Sequence, residues 1–130
     1  MHRTDEAGEY LRQEFPEQAE LALWLRSVLL EAEPDLEQRV YRGWQAVGFR
    51  HPDAGYVCGI FPRPEGLQLL FEHGASLPDP EGVLTAGGRQ VRALPIADRS
   101  ADTVDLVQRF LARSVIDGLE RRAGRKPRSR

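Results

Sequence analysis

Residues 55–73 read "GYVCGIFPRPEGLQLLFEH", and their reading decides the fold. The first half, through Pro62, is a largely apolar run that predicts a buried strand stopped by the proline. "RPEG" turns the chain. The segment after it alternates, with Leu67, Leu69 and Phe71 on one face and Gln68 and Glu72 on the other, the period of a strand buried on one side. A connection this short joins antiparallel neighbours, because a parallel pair needs a long crossover. Upstream, "RVYRGWQAVGFRH" (39–51) alternates imperfectly and predicts two strands bent at Gly43. "HPDAG" (51–55) is a turn cluster. Downstream, "RQVRALPI" (89–96) predicts a further strand, reached through the long loop "FEHGASLPDPEGVLTAGGRQVR" (71–92).

Helical patterns flank this strand region. Residues 6–14 predict a short helix with Tyr10 and Leu11 as its apolar points. Pro16 suits the first turn of a second helix, where a missing N–H costs nothing. Leu21, Leu25, Val28, Leu29 and Ala32 then repeat at helical spacing, with Trp24 beside the stripe, and Pro34 requires the helix to end before it. Ser100 is a good N-cap for a last helix, with Asp102 in its first turn. Val104, Val107, Leu111 and Val115 mark the buried side of that helix, joined by Phe110 and Leu119. The pattern weakens after Gly118. The expectation is a single two-layer α+β domain over residues 1–120, an antiparallel sheet of four to five strands packed by N- and C-terminal helices. A basic tail over 121–130 is expected to be disordered.

Composition bounds the partners. The chain has 130 residues, enough for one core without staples. Its single cysteine, Cys58, excludes an intramolecular disulfide framework and fits a reducing compartment. "MHRTDEAGEYLRQ" holds no apolar stretch after its positive charges, and the longest apolar run, "LALWL", is too short to span a bilayer. A cytoplasmic protein without a membrane partner is the expectation. Charge is lopsided: residues 1–37 carry ten acids and three bases, and residues 109–130 carry eight bases and two acids. The tail "RRAGRKPRSR" could contact nucleic acid by counterion release, but no base-stacking platform accompanies it, and nucleic acid is not the expected partner. Monomer and homodimer both stay open.

The segment from Phe71 through Gly74, Ala75, Leu77, Asp79 and Pro80, with Gly88, Arg89 and Arg92 after it, resembles the bacterial YdhG-like proteins. "GFRHPDAGYVCGIFP" before it strengthens the likeness, which spans residues 9–119 in order of elements. Many members carry a lysine where this chain has Arg89. The resemblance implies a small α+β fold with a curved antiparallel sheet and no agreed enzymatic activity. Some members have been described as frataxin-like iron chaperones, which would assign an iron face to acids such as Glu6, Glu9 and Glu17 of the first helices.

The residues themselves offer no catalytic constellation. There is no GxSxG, no Walker lysine, no CxxC and no HExxH, and Cys58 lies in the most apolar strand, where a thiol is inert. Among His2, His51, His73 and Cys58, the two histidines at strand ends could meet near Glu72, but their spacing is not that of a metal motif. No enzyme and no cofactor are expected. What remains is a binding function for a small anionic ligand or a protein partner. Gly87 and Gly88 leave backbone amides open beside Arg89 and Arg92, an arrangement that can orient a carboxylate or phosphate. The competing reading makes this a plain glycine turn whose arginines pair with Glu72 or Asp79. Tyr41 and Trp44 would supply apolar contact, with Trp44 on a nominal face with Arg42 and Arg50; Trp44 is either core or pocket wall. Phe71 is core.

Overall fold

The structure, a computed structural model, describes residues 5–124. His2 and the tail from residue 125 onward lie outside the described residues. Two helices, α1 (Glu6–Glu14) and α2 (Ala19–Ala32), precede the strands β1 (Glu37–Tyr41), β2 (Ala46–His51), β3 (Gly55–Arg63), β4 (Gly66–Phe71), β5 (Thr85–Ala86) and β6 (Arg92–Ile96), and α3 (Ala101–Gly124) follows. All pairings are antiparallel, in the order β1-β2-β3-β4-β6-β5. The expected α+β class holds. Among the described residues the count is six strands rather than four or five, because the long loop contributes the two-residue β5 as an edge against β6. The sheet is open and is not closed into a barrel.

Local chemistry explains the ends of the helices. Asp5 caps α1: its carboxylate accepts the Gly8 N–H (3.0 Å) and is held by the Arg26 guanidinium of α2 (2.7 Å). The hydrogen bond from Arg26 is the main reason that the Asp5 carboxyl titrates below its ordinary range. The α2 helix closes at Ala32, before Pro34, where the Glu33 N–H still reaches the Leu29 carbonyl. At the start of α3 the Thr103 N–H donates to Ser100 Oγ (3.2 Å), as the sequence predicts.

The core lies between the sheet and the helices. Cross-strand partners share a face, so Val47 with Ile60, Phe49 with Cys58, and Ile60 with Leu69 form one continuous inner layer. These residues are shut off from solvent, together with Phe71, Leu25 and Leu29 of α2, and Val107 and Leu111 of α3. Each such side chain contributes about 1.5–3 kcal/mol through burial. β3 runs on through Pro62, which pairs with Leu67; its ladder with β2 ends two residues earlier, at Ile60 opposite Val47, so no bond of that ladder is lost to the missing N–H. The inner stripe of α3 uses Val107, Phe110, Leu111 and Val115 but then passes to Gly118, leaving Leu119 41% exposed instead of buried. The helix also continues through Gly124, so residues 121–124 of the expected disordered tail are helical.

The long loop 71–92 is held by its own polar groups. A single 3-10 turn spans Gly74–Ser76. The Asp79 carboxylate accepts the N–H groups of Val83 and Leu84 (both 2.9 Å), and Arg92 donates to the carbonyls of Gly88 (3.0 Å) and Val91 (2.8 Å). Neither expected arginine–acid pair forms there. Both groups staple backbone instead.

Candidate ligand-binding groove

Helices cover one face of the sheet. The opposite face carries aromatic side chains where a solvated sheet would carry polar ones. Gly48 and Gly59 are direct partners in the β2–β3 ladder, and they form a floor without Cβ atoms. A Cβ on Gly48 would come within 2.5 Å of the Tyr41 ring and 2.8 Å of the Tyr56 ring; one on Gly59 would come within 2.6 Å of the Tyr56 hydroxyl and 2.8 Å of the Phe61 ring. The rings thus approach bare backbone more closely than a Cβ would allow. A register shift between Phe49 and Arg50 brings Arg50 opposite Tyr56, so the bulge places a guanidinium beside the aromatic cluster.

Trp44 lies in the turn between β1 and β2 and is 51% exposed. Its indole stacks on Tyr41 (centroids 4.9 Å apart, planes 22° apart) and meets Tyr56 edge to face (6.2 Å, 83°). Arg63 fixes this turn. Its guanidinium donates to the carbonyls of Trp44 (2.8 Å), Gln45 (3.2 Å) and Pro62 (2.9 Å) while lying over the Phe61 ring. Gln45 has a φ of 54°, the only positive value at a non-glycine among the described residues, and the Arg63 clamp holds that strained position in place.

A groove of about 370 Å³ opens between this cluster and the end of α3, with Arg50, Glu72, His73, Arg121 and Arg122 adding its polar lining. A second compartment of about 210 Å³ continues from it, sharing Trp44, Tyr56 and Glu72 and walled by Phe61, Leu70 and Val91. The last turn of α3 reaches this rim because Gly118 lies against Ala54 in the β2–β3 turn, where a Cβ would stand 2.8 Å from the Ala54 Cβ and carbonyl oxygen. Arg122 in turn passes over Gly55. Among the described residues Arg50, Arg121 and Arg122 have no carboxylate within ion-pair distance, and the Glu72 carboxylate has no hydrogen-bond or ion-pair partner. Burial holds the Tyr56 phenol far above its ordinary pKa, so it stays protonated at neutral pH.

The sequence-predicted site is only partly brought together. Tyr41 and Trp44 do form a wall, and Arg50 joins them. Arg42 turns away to lie over the Tyr10 ring of α1 (5.1 Å). Arg92 is the cross-strand partner of the buried Phe71, so alternation sends it to the helix-covered side, while Val91, one residue before it, faces the groove. Arg89 is exposed and does not line the groove. The cations missed by sequence reasoning are Arg121 and Arg122. Their signal was Gly118, one helical turn earlier, a small residue in the buried stripe that lets the helix end close on the sheet.

The acidic face does not converge. Among the described residues no group of three or more His, Cys, Asp or Glu side chains could hold a metal ion, so Glu6, Glu9 and Glu17 share no ion site. Glu20 pairs instead with Arg99 (2.8 Å). His51 is engaged at its own turn: its Nδ1 accepts the N–H groups of Asp53 (3.0 Å) and Ala54 (3.1 Å), and its Nε2 lies 3.9 Å from the Glu33 carboxylate. Cys58 is fully buried, and burial pushes its thiol pKa up. No helix among the described residues is long and apolar enough to cross a membrane.

Compared with known proteins, the chain matches no family model, no curated protein and no solved structure.

Proposed function

We propose that this protein is a non-enzymatic binding domain that holds a small anionic ligand in the groove on the open face of the sheet. The observation that carries the reading is the group of three guanidinium groups, Arg50, Arg121 and Arg122, without carboxylate partners among the described residues and beside an aromatic wall. Guanidinium groups without partners on a concave surface favour carboxylate or phosphate, and the Tyr41–Trp44–Tyr56 cluster gives such a ligand apolar contact on its other side. The anion-orienting role expected of Arg89 and Arg92 passes to these three residues. A catalytic reading has no observation in its favour: the described residues that line the groove include no serine, threonine or cysteine, and Cys58 is buried. Iron binding by Glu6, Glu9 and Glu17 has no observation in its favour.

Calorimetric titration of inorganic phosphate and a panel of small carboxylates tests the reading. Wild type and Arg92→Ala should bind alike, and Arg121→Ala/Arg122→Ala should bind about tenfold or more weakly. Equal binding by the double variant and wild type would remove the groove from the account.

A further inference from the structure

The two compartments of the groove differ in charge, and the difference says more about the ligand than the arginines alone. The larger one gathers Arg50, Arg121 and Arg122. Among the described residues no cation lines the smaller one: its walls are Trp44, Tyr56, Phe61, Leu70 and Val91, and its one charged side chain is Glu72. Arg63 is held by three backbone carbonyls and lies over Phe61 at 4.9 Å, so one ring of this wall already hosts a guanidinium. The Glu72 carboxylate is half-buried and has no partner among the described residues.

We propose that the ligand is a zwitterion: a phosphate or carboxylate for the arginine end, joined to an alkylammonium group, best a quaternary one, for the aromatic end. Trp44 and Tyr56 stand at 83° to each other, and walls that meet at a right angle suit a rounded cation, whereas a flat heterocycle needs parallel faces. Ring faces attract such a cation through their quadrupoles, and a carboxylate at the mouth neutralises it. Glu72 borders both compartments, which places it beside the short linker between the ligand's two charges. The inference rests on the anion-binding reading above and adds the second charge to it.

Phosphocholine is the probe, with inorganic phosphate and choline as its separate halves and adenosine monophosphate as the flat-ring alternative. Phosphocholine should bind about tenfold or more tightly than phosphate or choline alone, because one ligand joins two weak sites. Glu72→Gln should lower phosphocholine affinity to the phosphate level, while phosphate affinity should not fall and should rise as a like charge leaves the edge of the arginine compartment. Arg121→Ala/Arg122→Ala should weaken both, with circular dichroism confirming that each variant folds. Sedimentation with phosphatidylcholine vesicles separates a lipid headgroup from a free zwitterion: pelleting assigns the headgroup, and titration without pelleting assigns the free molecule. Phosphocholine no tighter than phosphate, an unaffected Glu72→Gln variant, or tighter binding of adenosine monophosphate would overturn the zwitterion and leave the anion reading standing. Absence of phosphate and phosphocholine binding alike would overturn both.

Discussion

On the helix-covered side of the sheet, Phe49, Cys58, Ile60, Leu69 and Phe71 are closed off from water. One residue along the same strands, Gly48 and Gly59 lie as bare backbone beneath Tyr41, Tyr56 and Phe61, which are only half-buried. The inner face follows the rule of a core: large side chains interlock and each makes its contribution by excluding solvent. The outer face is assembled differently, from rings packed close over glycine and a tryptophan held by the Arg63 clamp. Substitutions on the inner face should therefore cost stability and those on the outer face should cost binding.

The largest expected effect tests the inner face. Phe71→Ala removes a fully buried ring that also packs on Phe110 (5.9 Å), and urea denaturation should show a loss of about 3–5 kcal/mol. Gly118→Val lies at the boundary between the two regimes. Its new side chain meets Ala54 backbone and Cβ, so a loss of about 1–3 kcal/mol is expected. Phosphate affinity should fall with it as Arg121 and Arg122 are levered off the rim. Normal affinity in a destabilised Gly118→Val protein would separate the helix end from the site.

Gly59→Ala sharpens the contrast from the other side. Its Cβ collides with the movable ends of Tyr56 and Phe61, so the rings shift and stability changes by about 1 kcal/mol or less, while phosphocholine affinity drops. Trp44→Ala, at a half-exposed turn position, should change stability by about 0.5 kcal/mol or less and again weaken binding. A large stability loss in either variant would mean that the outer cluster is core after all.

The smallest effect lies away from both faces and calibrates them. Asp98 accepts hydrogen bonds from the Thr103 hydroxyl (2.6 Å) and the Ser100 N–H (2.9 Å). With the Thr103 bond as the main cause, its carboxyl pKa is held at about 2, below the ordinary 3.8. A depressed folded-state pKa gives stability that is complete above 3.8 and is lost as pH falls through about 2. Thermal unfolding of wild type between those pH values should show this slope, and Asp98→Asn should flatten it without altering ligand binding.

Much of this molecule was legible in the chain. Proline and capping residues, which act on their own backbone and near neighbours, marked the helices: Pro34 ended α2, and Ser100 began α3. Alternation at Leu67, Leu69 and Phe71 gave the face of β4, and turns as short as "RPEG" fixed antiparallel pairing. The site was half legible. Tyr41, Trp44 and Arg50 could be placed together because they lie on two neighbouring strands and the turn that joins them. Arg89 and Arg92 drew attention through the glycines before them, but side-chain direction depends on register, and pairing with Phe71 turns Arg92 to the other side of the sheet.

Local sequence thus determined the elements, their hand-offs and the antiparallel sheet, since those follow from contacts a few residues apart. Only the tertiary structure brought the last turn of α3 against the β2–β3 turn and set Arg121 and Arg122 beside Tyr56 and Glu72. That meeting depends on the missing side chain at Gly118 and on the bulge at Arg50, two small features whose effect is felt more than 60 residues away along the chain.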